Sequence, residues 1–189
     1  MSDLPSIAAY NVQRPAIRQA MMEHKKTRRV PLGPNAMLHF EDYMVMRYQV
    51  LELIRAEKIS LRDDIEQELD TYNPLIPDGM NLKVTFMLEY PDETERRERL
   101  TQLRGIEELI SIRIDGCEPV FPIANEDLTR TTAEKTSAVH FLRFEFSPQT
   151  IAVAKRGANW SIHCEHLNYL HKLENIPRPI VQSLLRDFD

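Results

Sequence analysis

Hydrophobic and polar positions repeat along this chain with two different periods, and the change of period divides it. Between residues 82 and 90 apolar side chains fall at every second position (Leu82, Val84, Phe86, Leu88, Tyr90), which is the pattern of a half-covered β-strand. The alternation recurs at 109–114, through Ile110, Ile112 and Ile114. It recurs again at 138–146, where Ala138, His140, Leu142, Phe144 and Phe146 oppose Val139, Phe141, Arg143 and Glu145. A further strand is expected at 159–164, and two short ones at 28–33 and 36–40 around the Gly33-Pro34-Asn35 reversal. Asp115-Gly116 supplies a turn, so residues 118–123 are expected to return as the hairpin partner of 109–114.

Helical spacing governs most of the remainder. Residues 12–26 place Ile17, Met21 and Met22 on an inner side, and residues 62–72 carry the stripe Ile65, Leu69 and Tyr72. Asn73-Pro74 ends that second helix, because the residue before a proline is pushed toward extended angles. Asp92-Glu-Thr-Glu95 has the spacing of a helix cap, Ser147-Pro148 opens a short helix to about residue 156, and Ile180, Val181, Leu184, Leu185 and Phe188 form a terminal amphipathic stripe. The polar, threonine-rich residues 124–137 read as a surface connector. The segment 44–58 differs from all of these: on a helical wheel it is apolar on nearly every side, the mark of a helix with neighbours all around it.

These elements predict an α+β fold in a single domain. A mainly antiparallel sheet from residues 82–90, 109–114, 138–146 and 159–164 packs against the helix 44–58, with a helical part at about 12–77 and a sheet-rich part at about 80–189. The central helix asks for more neighbours than so short a chain supplies, which points to a twofold homodimer.

Composition changes this picture little. With 42% hydrophobic and 28% charged residues in 189, the chain can bury a core. No apolar run approaches a membrane span and the first residues lack a signal pattern, so the expected compartment is the cytoplasm, with no membrane partner. Cys117 and Cys164 form no CxxC, which fits inert thiols in a reducing compartment. Residues 1–60 carry a balance of +3 and the remainder −8, so general nucleic-acid binding is disfavoured. The local exception, Lys25-Lys-Thr-Arg-Arg29, reads as a solvated helix end whose cations suit the C-terminal dipole.

Candidate chemistry is sparse. Five scattered glycines form no phosphate-binding loop, and there is no Glu-x-x-His and no Gly-x-Ser-x-Gly. His39 and Glu41 would share a strand face as an ordinary surface pair. His163-Cys-Glu-His166 is the densest run of metal-capable residues. It cannot use strand and helix spacing at once and has no third cluster to join it, so no metal is assigned and no cofactor can be named. The polar residues misplaced on the central helix are better motivated. Gln49 and Glu52 fall in the sector of Val45, Leu53 and Ala56, Glu57 falls between Met46 and Val50, and Arg55 between Met44 and Tyr48. Inward carboxylates need a cation, hydrogen-bond donors, a metal or a ligand. Gln49, Glu52, Arg55, Glu57, Glu68, Tyr72 and Asn73 are therefore the candidate ligand-binding set, either as a satisfied core network or as a pocket for a small polar ligand or a cation. Glu52 is expected to be buried and bonded to an arginine, or to Tyr72 and Asn73.

The run Phe40-Glu41, Gln49, Glu52, Arg55-Ala-Glu57, then Glu68-Leu-Asp-x-Tyr-Asn-Pro-Leu-Ile-Pro77, Pro91-Asp-Glu-x-Glu-Arg-Arg97 and Ser137-Ala-Val-His-Phe-Leu-Arg-Phe144 resembles an uncharacterised bacterial family of domains of unknown function. The similarity covers most of the chain and weakens at His166-x-x-Tyr169, where the family has His-Pro-x-Tyr and this chain has Leu167. Family members are often encoded beside rubrerythrin-like and iron–sulfur oxidoreductase proteins. The resemblance therefore implies a redox or peroxide-defence setting, and it assigns no catalytic residues. Two functions follow as expectations. One is a non-enzymatic accessory or interaction protein with a redox protein as partner; the other is a small-ligand or metal-dependent enzyme using the central polar cluster.

Overall fold

The computed structural model describes residues 4–188 and has the expected α+β class, built as two antiparallel sheets with helices around them. Helix α1 (Ile7–Lys26) starts earlier than its apolar spacing suggests, because Ser6 caps it by accepting from the Ala9 amide and Tyr10 is wholly buried within it. The hairpin β1 (Arg29–Pro31) and β2 (Ala36–Glu41) turns through Gly33, whose φ of 72° suits glycine. Asp42 then caps α2 (Tyr43–Glu57) by accepting from the Val45 amide, and α3 (Arg62–Tyr72) ends in a 3-10 turn at Asn73–Leu75.

The remaining elements are β3 (Asn81–Leu88), α4 (Glu93–Gln102), β4 (Ile110–Ile114), β5 (Pro122–Ala124), β6 (Val139–Glu145), α5 (Pro148–Lys155), β7 (Trp160–His166), β8 (Tyr169–Leu173) and α6 (Arg178–Leu184). The expectation that the four strong strands join one sheet is not met: their shared alternation is split between two sheets. β1-β2-β3-β6-β5 form a five-stranded sheet with β3 at its centre, while β4-β7-β8 form a second sheet of three. The expected hairpin of 109–114 with 118–123 is reduced to one bridge, Ile112 with Val120. Pro119 and Pro122 flank that bridge and have no N–H to extend the ladder, so the chain leaves β4 and adds β5 to β6 instead.

One continuous core lies on the inner face of the large sheet. Leu38, Phe40, Leu82, Val84, Phe86, Leu142 and Phe144 meet Ile110, Ile112, Ile114, Trp160 and Ile162 of the small sheet, with Ile151 of α5 and Leu184 of α6 closing the ends. Phe188 caps this core edge-on to Phe146 at 5.1 Å. The terminal helix thus docks as its stripe predicts.

The basic run after α1 is not a simple solvated end. Arg28 is 2% exposed, donates to the carbonyls of Phe40, Glu41 and Ser183, and pairs with Asp187 at 2.5 Å, tying β1 to the C-terminus. Burial pushes the Asp187 carboxyl up to about 6 against the pull of that guanidinium.

The helical layer α1–α3 is held differently. In α2, Val45, Met46, Val50, Leu51 and Ile54 are buried, and a small separate cluster joins Met21, Val45 and Met46 to Tyr48, Tyr72, Leu75 and Ile76. No residue of α3 is buried. No helix among the described residues is long and apolar enough to cross a membrane.

Candidate functional site: a cleft between the helical layer and the outer sheet face

Strand register sets what the outer face of the large sheet displays. Arg29, His39, Thr85 and Phe141 are aligned in one row across β1, β2, β3 and β6, and Glu41, Lys83, Arg143 and Ile123 form the next row across β2, β3, β6 and β5. Opposite partners on antiparallel strands point to the same face, so these two polar rows back the inner hydrophobic rows. Helix α2 and the end of α3 stand over them. Between lies a cleft of about 720 Å³ walled by Met46, Gln49, Tyr72, Leu75, Lys83 and Phe141, among others. A recess of about 320 Å³ shares Glu41, Gln49, Thr85 and Phe141 with it and extends to Lys25, Arg29 and His39.

The groups lining this space are held away from their ordinary ionisation. Glu41 is 5% exposed; its Oε1 accepts from the Thr85 hydroxyl at 2.7 Å, yet burial outweighs that bond and raises its pKa. Lys83, its partner in register, is lowered by burial and by the nearby charge of Arg143. No ion pair joins Glu41 and Lys83 among the described residues, and burial displaces each toward its neutral form. His39 is lowered to about 4 by burial and by the charges of Arg29 and Lys25, and its Nε2 is buried without a hydrogen-bond partner. Tyr72 is raised by burial and by the carboxylates of Glu68 and Glu57. Clefts that collect such displaced groups are where ligand chemistry is commonly found.

One wall of the cleft comes from the threonine-rich connector, which is anchored rather than loose. Glu126 and Asp127 line the cleft, with Glu126 bidentate to Arg143 and Arg130 stacked 4.6 Å over Phe141. Behind them, Thr131 and Thr136 donate to the buried carboxylate of Glu107, and Thr136 Oγ1 lies 2.9 Å from His140 Nε2. His140 Nε2 is also 3.0 Å from the Ser137 carbonyl, and its Nδ1 is 3.0 Å from the Asn125 amide nitrogen. The network assigns the proton to Nε2, and burial favours this neutral form by lowering the pKa.

A family model described as a protein of unknown function, DUF3501, matches residues 1–188. The chain belongs to the DUF3501 family. A crystal structure of a novel protein of unknown function from Burkholderia pseudomallei K96243 is 45% identical, covers 100% of this chain and 97% of its own, and superposes with a TM-score of 0.93. No curated protein matches the chain.

In this DUF3501 chain the seven residues singled out in the sequence do not converge on one point. Gln49 and Tyr72 share the cleft. Glu52 faces α1, where Arg14 grips it with Nε and Nη2 at 2.7 and 2.8 Å and Tyr10 donates its hydroxyl at 2.5 Å. Arg14 holds that carboxyl well below the usual range, at about 2; the arginine partner is from α1, and Tyr72 and Asn73 take no part. Arg55, which approaches Glu52 at 3.5 Å, and Asn73 line a separate open groove of about 1230 Å³ between the start of α1 and α3. That groove is larger, but it lies along a helix with no buried residue, and none of the displaced groups of the cleft lines it. Glu57 is exposed and Glu68 half-buried, and both act on the cleft through the charge they present to Tyr72.

His39 and Glu41 share a face as expected, but line the recess beside the cleft instead of forming a surface pair. The cleft residues missed in the sequence are Lys83, Thr85, Phe141 and Arg143. For Lys83, Thr85 and Arg143 the signal was present in the polar positions that alternate with the apolar ones on β3 and β6.

His163 and His166 lie on opposite faces of β7, which rules out a shared metal between them. His166 Nδ1 accepts from the Asn168 amide and Nε2 meets the Arg104 carbonyl at 3.2 Å, so this histidine fixes the turn whose Leu167 departs from the family pattern. Tyr169 donates to the Leu32 carbonyl and accepts from the Asn35 amide, joining the two sheets. Among the described residues no group of three or more His, Cys, Asp or Glu side chains could hold a metal ion.

Proposed function

We propose that this protein binds a small organic ligand in the cleft between α2 and the outer face of the five-stranded sheet. The observation that carries the reading is that Glu41 and Lys83, register partners with no ion pair between them, both line a cleft of about 720 Å³ in which burial displaces each toward its neutral form. Unjoined groups of that kind cost stability in the empty protein, and a ligand with its own donor and acceptor recovers it. The apolar walls, Met46, Leu75 and Phe141, bury the body of the ligand, while Gln49 and Thr85 orient its polar end.

In the redox setting that the family resemblance implies, the protein acts as a ligand-binding accessory and not through the Cys164 thiol. Cys164 is buried and burial pushes its thiol up, away from the reactive thiolate.

A thermal-shift panel of small organic acids, amines and amides tests the proposal. A ligand at about one hundred times its Kd should stabilise the protein by about 2.7 kcal/mol. The stabilisation should disappear in Lys83→Met and in Phe141→Ala. Ligands that stabilise both variants as much as the parent overturn the reading.

A further inference from the structure

The small recess at the end of the cleft has a chemistry of its own. Register places Arg29 beside His39, and Lys25 reaches the same space from the last turn of α1, so two cations and an imidazole converge there. Neither Lys25 nor Arg29 is in an ion pair with a carboxylate among the described residues; Lys25 rests 5.7 Å from the centre of the Tyr48 ring. Arg28 also borders the recess but is committed to Asp187. The buried Nε2 of His39 has no partner.

The other groups facing His39 leave this charge in place. On its own strand is Glu41, whose pKa burial raises and whose Oε1 is occupied by Thr85; Thr85 and Met87 come from β3, Phe141 from β6, and Val45 and Gln49 from α2. One buried carboxyl, already bonded to Thr85, therefore stands against two cations. The recess and the cleft share Gln49, Thr85 and Phe141, so a ligand can occupy both.

We propose that Lys25, Arg29 and His39 form an oxyanion-binding subsite, which takes the carboxylate or phosphate headgroup of a ligand whose apolar body lies over Phe141 and Met46. The inference rests on the cleft being a ligand site and names the class of ligand: an amphipathic oxyanion. Arg29 and Lys25 supply charge-assisted hydrogen bonds, and His39 donates from Nε2 when an anion is present to favour its protonated form.

Linkage makes this testable without knowing the ligand. An anion held between Arg29, Lys25 and His39 offsets the two charges that depress the imidazole, so its pKa must rise, and the protonated form must bind the anion more tightly by the same factor. The probes are sodium sulfate and sodium trifluoroacetate, which stay ionised throughout and stand for phosphate-like and carboxylate headgroups, compared with sodium chloride at equal ionic strength. The His39 ring is followed by NMR from neutral pH downward, and the amides of residues 25, 29 and 39 are followed at neutral pH, where the protein need not survive acid.

We expect one of the two oxyanions to raise the His39 pKa by about one unit, equal to about tenfold tighter binding to the protonated form, and to give saturable amide shifts. The oxyanion that does so identifies the headgroup. Replacing Lys25 and Arg29 together with glutamine should raise the anion-free His39 pKa, abolish the further rise and weaken the neutral-pH binding about tenfold or more. Equal behaviour in all three salts, or an oxyanion effect that survives in the double variant, overturns the subsite. The cleft reading stands or falls separately, on the response of Lys83→Met and Phe141→Ala.

Discussion

The two faces of the five-stranded sheet are made by the same strands and serve opposite ends. On the inner face Phe86 and Phe144 are fully buried against the small sheet, in a core where each apolar side chain has an apolar neighbour. On the outer face the intervening residues, His39, Glu41, Lys83, Thr85, Phe141 and Arg143, meet a helical layer that touches them only in part and leaves a cleft. The inner face is where folding energy is gained, since closely packed apolar burial carries most of it. The outer face keeps a carboxyl, an amine and an imidazole away from their ordinary ionisation, which lowers stability and which, under the proposed function, a bound ligand offsets. A period of two lets one strand do both.

The comparison breaks most visibly by truncating one phenylalanine on each face. Phe86→Ala should lower the unfolding free energy by about 3–5 kcal/mol, the cost of emptying a well-packed site, measured by urea denaturation. Phe141→Ala, with a half-buried ring stacked under Arg130, should cost about 1 kcal/mol and remove the ligand response. Similar losses from both would erase the distinction between the faces.

Next in size is the joint between α1 and α2. Glu52→Gln should lose about 1–3 kcal/mol, because a carboxylate gripped by Arg14 and Tyr10 is replaced by a neutral amide. Arg14→Gln should also lower stability, and the double variant should lose little more than Glu52→Gln alone, since one bond network is being removed twice. The sign with pH follows from the depressed carboxyl. Its contribution is fully present above the unfolded value of about 4.5 and is lost as pH falls toward about 2, so the parent should lose stability over that range and Glu52→Gln should lose less. A parent and variant with parallel acid profiles would show that Glu52 is not the group holding the helices together.

The smallest effect is expected at Lys83. Burial already disfavours its charge, so Lys83→Met should melt within about 0.5 kcal/mol of the parent, or slightly above it, while losing the ligand response. A loss of several kcal/mol on thermal or urea unfolding would mark Lys83 as structural.

Local chemistry made much of this legible before the structure. The Asn73-Pro74 stop, the Asp92 cap and the Ser147-Pro148 start all act within a few residues, and each ends or begins a helix where expected. The start of α1 was obscured by Pro15, which lies inside the helix although proline favours a first turn. Sheet membership was not legible, because strand pairing is decided by distant partners: nothing near 109–114 says that it pairs with β7 and not with β3. β8 escaped because the alternation of Tyr169, His171 and Leu173 is interrupted by Leu170 between them.

The candidate site divides in the same way. Gln49 stood out as a polar position on an apolar helix face and Tyr72 as the stripe residue able to supply a hydrogen bond, and both reach the cleft. Glu52 stood out for the same reason but is satisfied by Arg14 and Tyr10, since a misplaced carboxylate looks alike in sequence whether a ligand or a distant arginine completes it. Lys83 and Arg29 look like ordinary outward residues until register aligns their rows.

The claim that the outer face is the ligand site is tested most directly by mapping where small molecules settle. Amide chemical shifts of the protein, recorded against a library of organic fragments, should change together at residues 39–41, 46–49, 72–75, 83–87 and 141–143, the walls of the cleft and its recess. Shifts that gather instead along the open groove between the start of α1 and α3, at residues 4–11 and 58–70, would contradict the account.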